Sequence, residues 1–214
     1  MRKFFFYPAY FMPWFFVVSV YLLFKLPILP KFLYFCFLFG LGYFFRRSYI
    51  PYQDTVKSDG EIFLSPVFGQ VCSIRKRVNA ETEIRIAMPT FSPKGLYLPT
   101  SGEVSYLKAN KGRKIARNSD EKDFYGSFDE VAHTDLRFTS KNLRQTLLRF
   151  VDSTMGIRPT IWLKSGDRGR GGACFGYYPF GGTLIIYLPS ESDILVFEKE
   201  RVVPGLTVIA AIKG

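Results

Sequence analysis

Residues 82–88 have the sequence Thr-Glu-Ile-Arg-Ile-Ala-Met, in which polar and apolar side chains alternate. A period of two places successive side chains on opposite faces of a β-strand, so this pattern predicts a strand with one buried face. Seven other short apolar runs, bounded by Gly, Pro, Asn or Ser, also predict strands: 71–78, 103–107, 143–151, 160–163, 183–189, 193–197 and 206–212.

Little of the remaining chain after residue 48 is typical of helix. One short helical pattern lies around residues 127–133, and the polar residues 108–126 predict a long exposed loop. The fold class predicted for residues 48–214 is therefore mainly β (β-rich within the α+β class), in a single head domain.

The amino-terminal residues have a different composition. Residues 1–45 contain 19 of the 38 aromatic residues, and their only charges are four positive ones out of a formal net charge of +11. A helix that crosses a bilayer needs about 20 apolar residues. We therefore expect residues 1–47 to form a hydrophobic helical membrane anchor, either a helical hairpin or an interfacial wedge. Paired basic residues at both ends favour a head on the cytoplasmic face of the membrane.

The cysteine and histidine content argues against two common kinds of site. Cys36, Cys72 and Cys174 form no C-x-x-C pair, which excludes a zinc site of the usual spacing and favours a reducing compartment, although a single Cys72–Cys174 bridge remains open. His133 is the only histidine, so no metal site is predicted. Next to Asp135 it could act as a general base, but we expect a surface or loop histidine.

Two basic clusters are candidate binding sites for an anionic partner. They are Arg75, Lys76 and Arg77, and a second group that includes Lys111, Arg113 and Lys114. Each cation near an anionic membrane contributes about 1 kcal/mol to lipid-headgroup binding. Nucleic acid is a weaker candidate, because the aromatic residues are concentrated in residues 1–45 and are not interleaved with these cations. An ordinary solvated surface explains the clusters equally well.

Several short motifs follow one another along residues 40–212. They are Phe44-Phe45-Arg46, Ser65-Pro66-Val67-Phe68-Gly69-Gln70-Val71, Met88-Pro89-Thr90-Phe91, Pro99-Thr100-Ser101-Gly102, Lys164-Ser165-Gly166-Asp167, Phe175-Gly176, Phe180-Gly181, Tyr187-Leu188-Pro189 and Val203-Pro204-Gly205. In this order and with these gaps they resemble the phosphatidylserine decarboxylase family, especially its short membrane-anchored members. The resemblance is weakest over residues 108–160, where only Arg158 retains the family's Ala-Arg-Arg segment.

The resemblance implies a specific chemistry and also its loss. Family members cleave their own chain at a serine, with the help of an Asp–His pair, and the resulting pyruvoyl group is the electron sink for decarboxylation. The matching positions here are Phe68 for the aspartate, Lys94 for the histidine and Gly182 for the serine. Glycine has no Cβ, so no pyruvoyl cofactor is expected.

Two neighbouring groups could substitute for the lost ones. Thr183 carries a hydroxyl, but a shift of one residue along a strand turns a side chain to the opposite face. Lys94 could form an imine with a carbonyl if its pKa were depressed, although an exposed turn lysine after Pro93 is the ordinary explanation.

Three functions follow. The favoured one is a membrane-anchored, catalytically inactive relative linked to phosphatidylethanolamine metabolism, which binds anionic phospholipid or a partner enzyme of lipid synthesis. The alternative is an active, divergent decarboxylase of phosphatidylserine or a related lipid that cleaves itself at Thr183. The third is a structural membrane protein without lipid specificity. None of them involves nucleic acid.

Overall fold

The computed structural model describes residues 21, 32, 34–40, 61–77, 81–89, 92–112, 131–140, 142, 144–152 and 158–212. The chain separates into two units, Met1–Arg47 and Ser48–Gly214. In the second unit the described segments are strands joined by turns. They are β1 (Glu61–Leu64), β2 (Gly69–Lys76), β3 (Thr82–Met88), β4 (Gly95–Tyr97), β5 (Gly102–Asn110), β6 (His133–Ser140), β7 (Gln145–Val151), β8 (Thr160–Ile161), β9 (Arg168–Gly169), β10 (Cys174–Tyr177), β11 (Gly182–Leu188), β12 (Asp193–Ile194), β13 (Arg201–Val202) and β14 (Val208–Ile212).

The strands form one large antiparallel sheet and two small ones. The large sheet has eight strands in the order β13-β2-β3-β11-β7-β6-β5-β9. The two small sheets have the orders β1-β14-β12 and β4-β10-β8. β11 lies at the centre of the large sheet, where Leu184 pairs with Ile86 on one side and with Phe150 on the other.

Both faces of the large sheet are buried near β11. One face contributes Ile84, Ile86, Leu184 and Ile186 to the main core, and all four are fully buried. The opposite face carries a smaller apolar cluster of Val131, Val151, Ile185 and Tyr187. Burial on both faces explains why residues 183–189 are continuously apolar rather than alternating.

In strand β3, the face opposite the main core is polar but is not exposed to solvent. Its alternation is present, with Ile84 and Ile86 in the main core, but Glu83 on the other face is only 3% exposed. Its carboxylate accepts hydrogen bonds from Arg85 Nε at 2.5 Å and Arg77 Nε at 2.8 Å. A buried charge is tolerated when it is paired in this way.

Most strands lie within or beside the runs that the sequence predicts, but not all do. Six strands, β1, β4, β6, β9, β10 and β13, were not predicted. The short helix expected around residues 127–133 is wrong for 131–133, where Val131 forms a β-bridge and His133 begins β6; residues 127–130 lie outside the described residues. The expected loop at 108–126 begins too early, because β5 extends to Asn110.

The expected helical membrane anchor is wrong. Within the described part of the chain, no helix is long and apolar enough to cross a membrane. Most of the two apolar runs, 4–24 and 32–45, lies outside the described residues.

Candidate functional site

The large sheet gathers the three family-matching positions at one end. Gly182 begins β11 opposite Met88, the last residue of β3. On the other side of β3, Gln70 pairs with Ala87, so β2 begins beside the same end of β3, and Phe68 immediately precedes β2. Lys94 joins them through its carbonyl oxygen, which accepts a hydrogen bond from the Tyr178 amide at 2.8 Å. We call this group the β11-end site.

The backbone at Gly181 and Gly182 leaves no room for a side chain. The φ angles of the two residues are +69° and +153°, in the region that favours glycine. A Cβ added to Gly182 would overlap Tyr178 Oη and would lie 2.8 Å from Tyr178 Cζ and 3.0 Å from the Val151 carbonyl oxygen. The space in which a serine side chain would sit is therefore filled by a tyrosine.

Tyr178 is fixed in that space. Its side chain is fully buried in the main core and lies edge-on to Phe150, with the ring centroids 6.4 Å apart. Its hydroxyl donates a hydrogen bond to the carbonyl oxygen of Val151, on the neighbouring strand β7. One indirect signal for this residue is present in the sequence, since Tyr178 lies between the Phe175-Gly176 and Phe180-Gly181 motifs.

Lys94 is not the exposed turn lysine that we expected. Its side chain is fully buried, and its Nζ donates a hydrogen bond to the Pro89 carbonyl oxygen at 2.7 Å. A Cβ added to Gly181 would lie 3.5 Å from this Nζ. The amine therefore lies against the double glycine, in the same small volume as the tyrosine ring.

Thr183 faces away from this volume. It pairs with Ala87 and Val151, and its side chain is on the same face as Ile185 and Tyr187, because strand side chains alternate. Tyr178 belongs to the core on the other face. The Thr183 hydroxyl is therefore not positioned to replace the hydroxyl of a serine at residue 182.

The residues of the β11-end site do not fit a pyruvoyl group. Such a group forms from a residue with a Cβ, and Gly182 has neither that atom nor space for it. Among the described residues, no group of three or more His, Cys, Asp or Glu side chains could hold a metal ion.

His133 is buried on β6, so the expectation of a surface or loop histidine is wrong. Its Nδ1 lies 2.6 Å from the Val131 carbonyl oxygen, and its Nε2 lies 2.8 Å from Asn110 Nδ2 and 3.5 Å from Asp135 Oδ2. Asp135 in turn accepts two hydrogen bonds from Arg149, at 2.8 and 3.0 Å. The imidazole is held on both sides within the sheet, which is typical of a structural histidine.

Arg158, the one residue retained from the Ala-Arg-Arg segment, lies in the same part of the fold. Its Nε donates a hydrogen bond to Asp152 Oδ2 at 3.1 Å, and its Nη2 donates to the Asn110 carbonyl oxygen at 3.4 Å. Asp152 follows Val151, whose carbonyl oxygen accepts the Tyr178 hydroxyl. Arg158 therefore ties the end of β7 to the end of β5.

The structure does not bring the two basic clusters together. Arg75, Lys76 and Arg77 lie at the end of β2 that pairs with Thr82, and all three are exposed. Lys111 follows β5 at the opposite end of the sheet and five strand spacings away, about 24 Å. Arg113 and Lys114 lie outside the described residues.

Cys36, Cys72 and Cys174 form no disulfide, so the Cys72–Cys174 bridge left open by the sequence is not formed.

Comparison with known proteins gives one consistent group of relatives. A phosphatidylserine decarboxylase proenzyme of Symbiobacterium thermophilum is 28% identical over 173 residues, which cover 78% of this chain and 76% of the relative. The proenzyme of Carboxydothermus hydrogenoformans is 26% identical over 180 residues (80% and 79%), and that of Amoebophilus asiaticus is 28% identical over 181 residues (79% and 74%). No family model matches the chain, and no solved structure gives a significant match.

Proposed function

The chain belongs to the phosphatidylserine decarboxylase family, and from this premise we propose that it acts in phospholipid metabolism as a non-catalytic member. In this role it binds anionic phospholipid, or a partner enzyme of lipid synthesis, without decarboxylating a substrate. The observation that carries the proposal is the filled β11-end site, in which Tyr178 occupies the space of a side chain at Gly182.

Each step of the family chemistry lacks its group at this site. Self-cleavage needs a hydroxyl on a Cβ at position 182 and a base to activate it. Lys94, which replaces the histidine, donates a hydrogen bond to the Pro89 carbonyl oxygen, and position 182 offers no hydroxyl for it to activate. Phe68, which replaces the aspartate, cannot orient a base. The three substitutions together support loss of activity more strongly than any one of them.

Lipid binding is supported by the charge of the chain and by its family. The formal net charge is +11, and Arg75, Lys76 and Lys111 are exposed cations that can contact anionic headgroups. We propose a location at a membrane surface, with the head in the cytoplasm.

Intact mass spectrometry of the purified full chain tests the loss of catalysis. We expect a single uncut species of 24.6 kDa, because no residue at 182 can start the cleavage. The divergent decarboxylase instead predicts two pieces, residues 1–182 and 183–214, the second with a carbonyl-blocked amino terminus. That result would contradict the proposal, and loss of the cut in Thr183→Val would then assign it to Thr183.

Vesicle flotation tests the lipid part of the proposal. We expect the full chain to bind vesicles of phosphatidylcholine and phosphatidylserine more strongly than vesicles of phosphatidylcholine alone, and this difference to shrink as salt is added. Equal binding to both kinds of vesicle would contradict anionic-lipid binding, and binding to a partner enzyme would be the part of the proposal that remains.

A further inference from the structure

Three large apolar side chains are exposed along one edge of the second unit. They are Leu195, Phe197 and Leu206, with exposed fractions of 51%, 77% and 52%. We call them the 195–206 patch. Removing such side chains from water is worth about 1.5–3 kcal/mol each when burial is complete, so their exposure has a cost that a partner could relieve.

The backbone brings these side chains together. The Leu195 amide donates a hydrogen bond to the Ile209 carbonyl oxygen at 3.0 Å, which extends the antiparallel pairing of β12 with β14. Phe197 lies two residues after Leu195, and Leu206 lies three residues before Ile209, in the turn before β14, so an antiparallel continuation of this pairing would place Phe197 opposite the residue that follows Leu206. Val196, between Leu195 and Phe197, is only 3% exposed, so the chain buries one face here and presents the other.

The patch lies near the β11-end site. The turn with Leu206 follows directly from β13, in which Val202 pairs with Gly69. Phe68, the residue before Gly69, is one of the three positions of that site. A surface that binds the patch would therefore lie next to the end of the sheet where family members carry out their chemistry.

Exposed cations surround the patch. Lys199 and Arg201 follow Phe197 along the chain, and the exposed cations Arg75 and Lys76 lie on the neighbouring strand β2. Two glutamates, the exposed Glu198 and the half-buried Glu200, lie in the same segment, and each carboxylate accepts a backbone hydrogen bond. Glu198 Oε1 accepts a hydrogen bond from the Ile74 amide at 3.2 Å, and Glu200 Oε2 accepts one from the Phe197 amide at 2.9 Å.

We propose that the 195–206 patch, with Lys199, Arg201, Arg75 and Lys76, is the surface by which the head docks on an anionic lipid membrane. This inference rests on the proposed lipid-binding function and names the surface that performs it. Apolar side chains enter the interfacial region while the surrounding cations contact lipid phosphates. Three side chains are too few for a stable protein interface, which buries about 800 Å² on each partner, whereas a membrane needs only shallow insertion.

The test uses vesicle flotation with the full chain and two sets of variants. Phe197→Ser/Leu206→Ser removes the apolar contact. Its control is Trp162→Ser, because Trp162 is also exposed, at 44%, but lies next to the small β4-β10-β8 sheet. Arg75→Gln/Lys76→Gln/Lys199→Gln removes three cations. Its control is Arg137→Gln/Lys164→Gln/Arg170→Gln, which removes three exposed cations that are not among the proposed lipid contacts.

The two sets should differ in their lipid dependence. The apolar variant should lower the partition coefficient on both kinds of vesicle about tenfold or more, because two buried apolar side chains are lost. The charge variant should lower it about fivefold per cation on phosphatidylserine-containing vesicles alone. In Phe197→Trp, the added tryptophan should be quenched by brominated lipid beyond the quenching seen in the parent chain.

The outcomes separate this surface from the function on which it rests. If the parent chain prefers anionic vesicles and each variant binds as its control does, the docking surface is overturned and lipid binding stands. If the parent chain shows no preference, both are overturned. Loss of binding to a purified protein partner, with vesicle binding unchanged, would also overturn the membrane as the occupant of the patch.

Discussion

Gly182 combines two constraints on a single residue. Its φ of +153° disfavours any side chain, and Tyr178 fills the direction in which a Cβ would point. Replacing serine by glycine at this position therefore does more than remove a nucleophile. Tyr178 occupies the space next to Gly182, so a serine restored at this position alone would clash with it.

We predict that Gly182→Ala lowers the free energy of unfolding by about 2–4 kcal/mol, from backbone strain and overpacking together. The matched control is Gly166→Ala, where φ is +92° but no atom lies within 4 Å of the added Cβ. That variant should lose only the backbone contribution, about 1–2 kcal/mol. Chemical denaturation measures both, and equal losses would show that Tyr178 does not fill the site as described.

Lys94 shows how a residue's environment can reverse its interpretation. After Pro93 in a polar segment, a lysine is typically exposed, and the sequence offers no reason to bury it. In the fold, the Pro89 carbonyl oxygen and the double glycine enclose its amine. The hydrogen bond to that carbonyl oxygen offsets part of the cost of burying the amine.

At the scale of elements, the antiparallel register of β6 and β7 places Asp135 opposite Arg149. Both side chains are about nine-tenths buried, and they form two parallel hydrogen bonds of the kind that makes such pairs strong. The Arg149 guanidinium also lies 5.8 Å from the centre of the Tyr187 ring. The Asp135–Arg149 pair therefore connects β6 and β7 to β11 on the face of the sheet opposite the main core.

We expect Arg149→Met to destabilise the fold by about 3–5 kcal/mol, because it leaves the buried Asp135 carboxylate without its partner. The double variant Asp135→Leu/Arg149→Met should recover much of that loss, since neither charge then remains buried. The exposed cross-strand pair Arg168–Glu103 is the control, and Arg168→Met should cost at most about 1 kcal/mol. A double variant as unstable as the single one would contradict this account.

Strand β11 is an element that could be predicted from the sequence. Its apolar residues alone predict a buried strand, and the strand is present within one residue of the expected ends. β6 could not be found in the same way, because His133, Asp135 and Arg137 interrupt its apolar pattern. Those polar side chains are accommodated by partners on neighbouring strands, and sequence periodicity carries no information about such partners.

At the scale of the whole second unit, Glu61 links two sheets. It lies on β1 of a three-stranded sheet, and its Oε2 accepts a hydrogen bond from Ser140 Oγ, on β6 of the large sheet, at 2.9 Å. Burial raises the pKa of Glu61, and the hydrogen bond from Ser140 and the charge of Arg144 only partly oppose this effect. The folded state therefore favours the protonated carboxyl.

This raised pKa predicts a pH dependence of stability. The contribution of protonated Glu61 is fully present below the unfolded pKa of 4.5 and is lost as the pH rises through the higher folded value. Glu61→Gln, which is neutral throughout, should therefore be more stable than the parent near pH 7, and the difference should shrink below pH 4.5. Unfolding free energies measured across this range check it, and a difference independent of pH would contradict it.

The sequence by itself was sufficient for the β-rich class of the head, for several of its strands and for the family, because alternation, turn residues and ordered motifs are local properties of the chain. The absence of a Cβ at Gly182 is likewise a fact of the sequence. The helical anchor was a wrong inference from composition, since no helix in the described part of the chain is long and apolar enough to cross a membrane.

Only the tertiary structure could decide what surrounds those residues. Three contacts illustrate this: that of Tyr178 with Gly182, that of Lys94 with the double glycine, and that of Asp135 with Arg149. In each, the two residues are brought together by a sharp turn or by the pairing of strands. Strand pairing and register bring such groups within a few ångströms of each other. These non-local distances determine burial, hydrogen bonding and pKa, so the closing of the site became visible only in the folded chain.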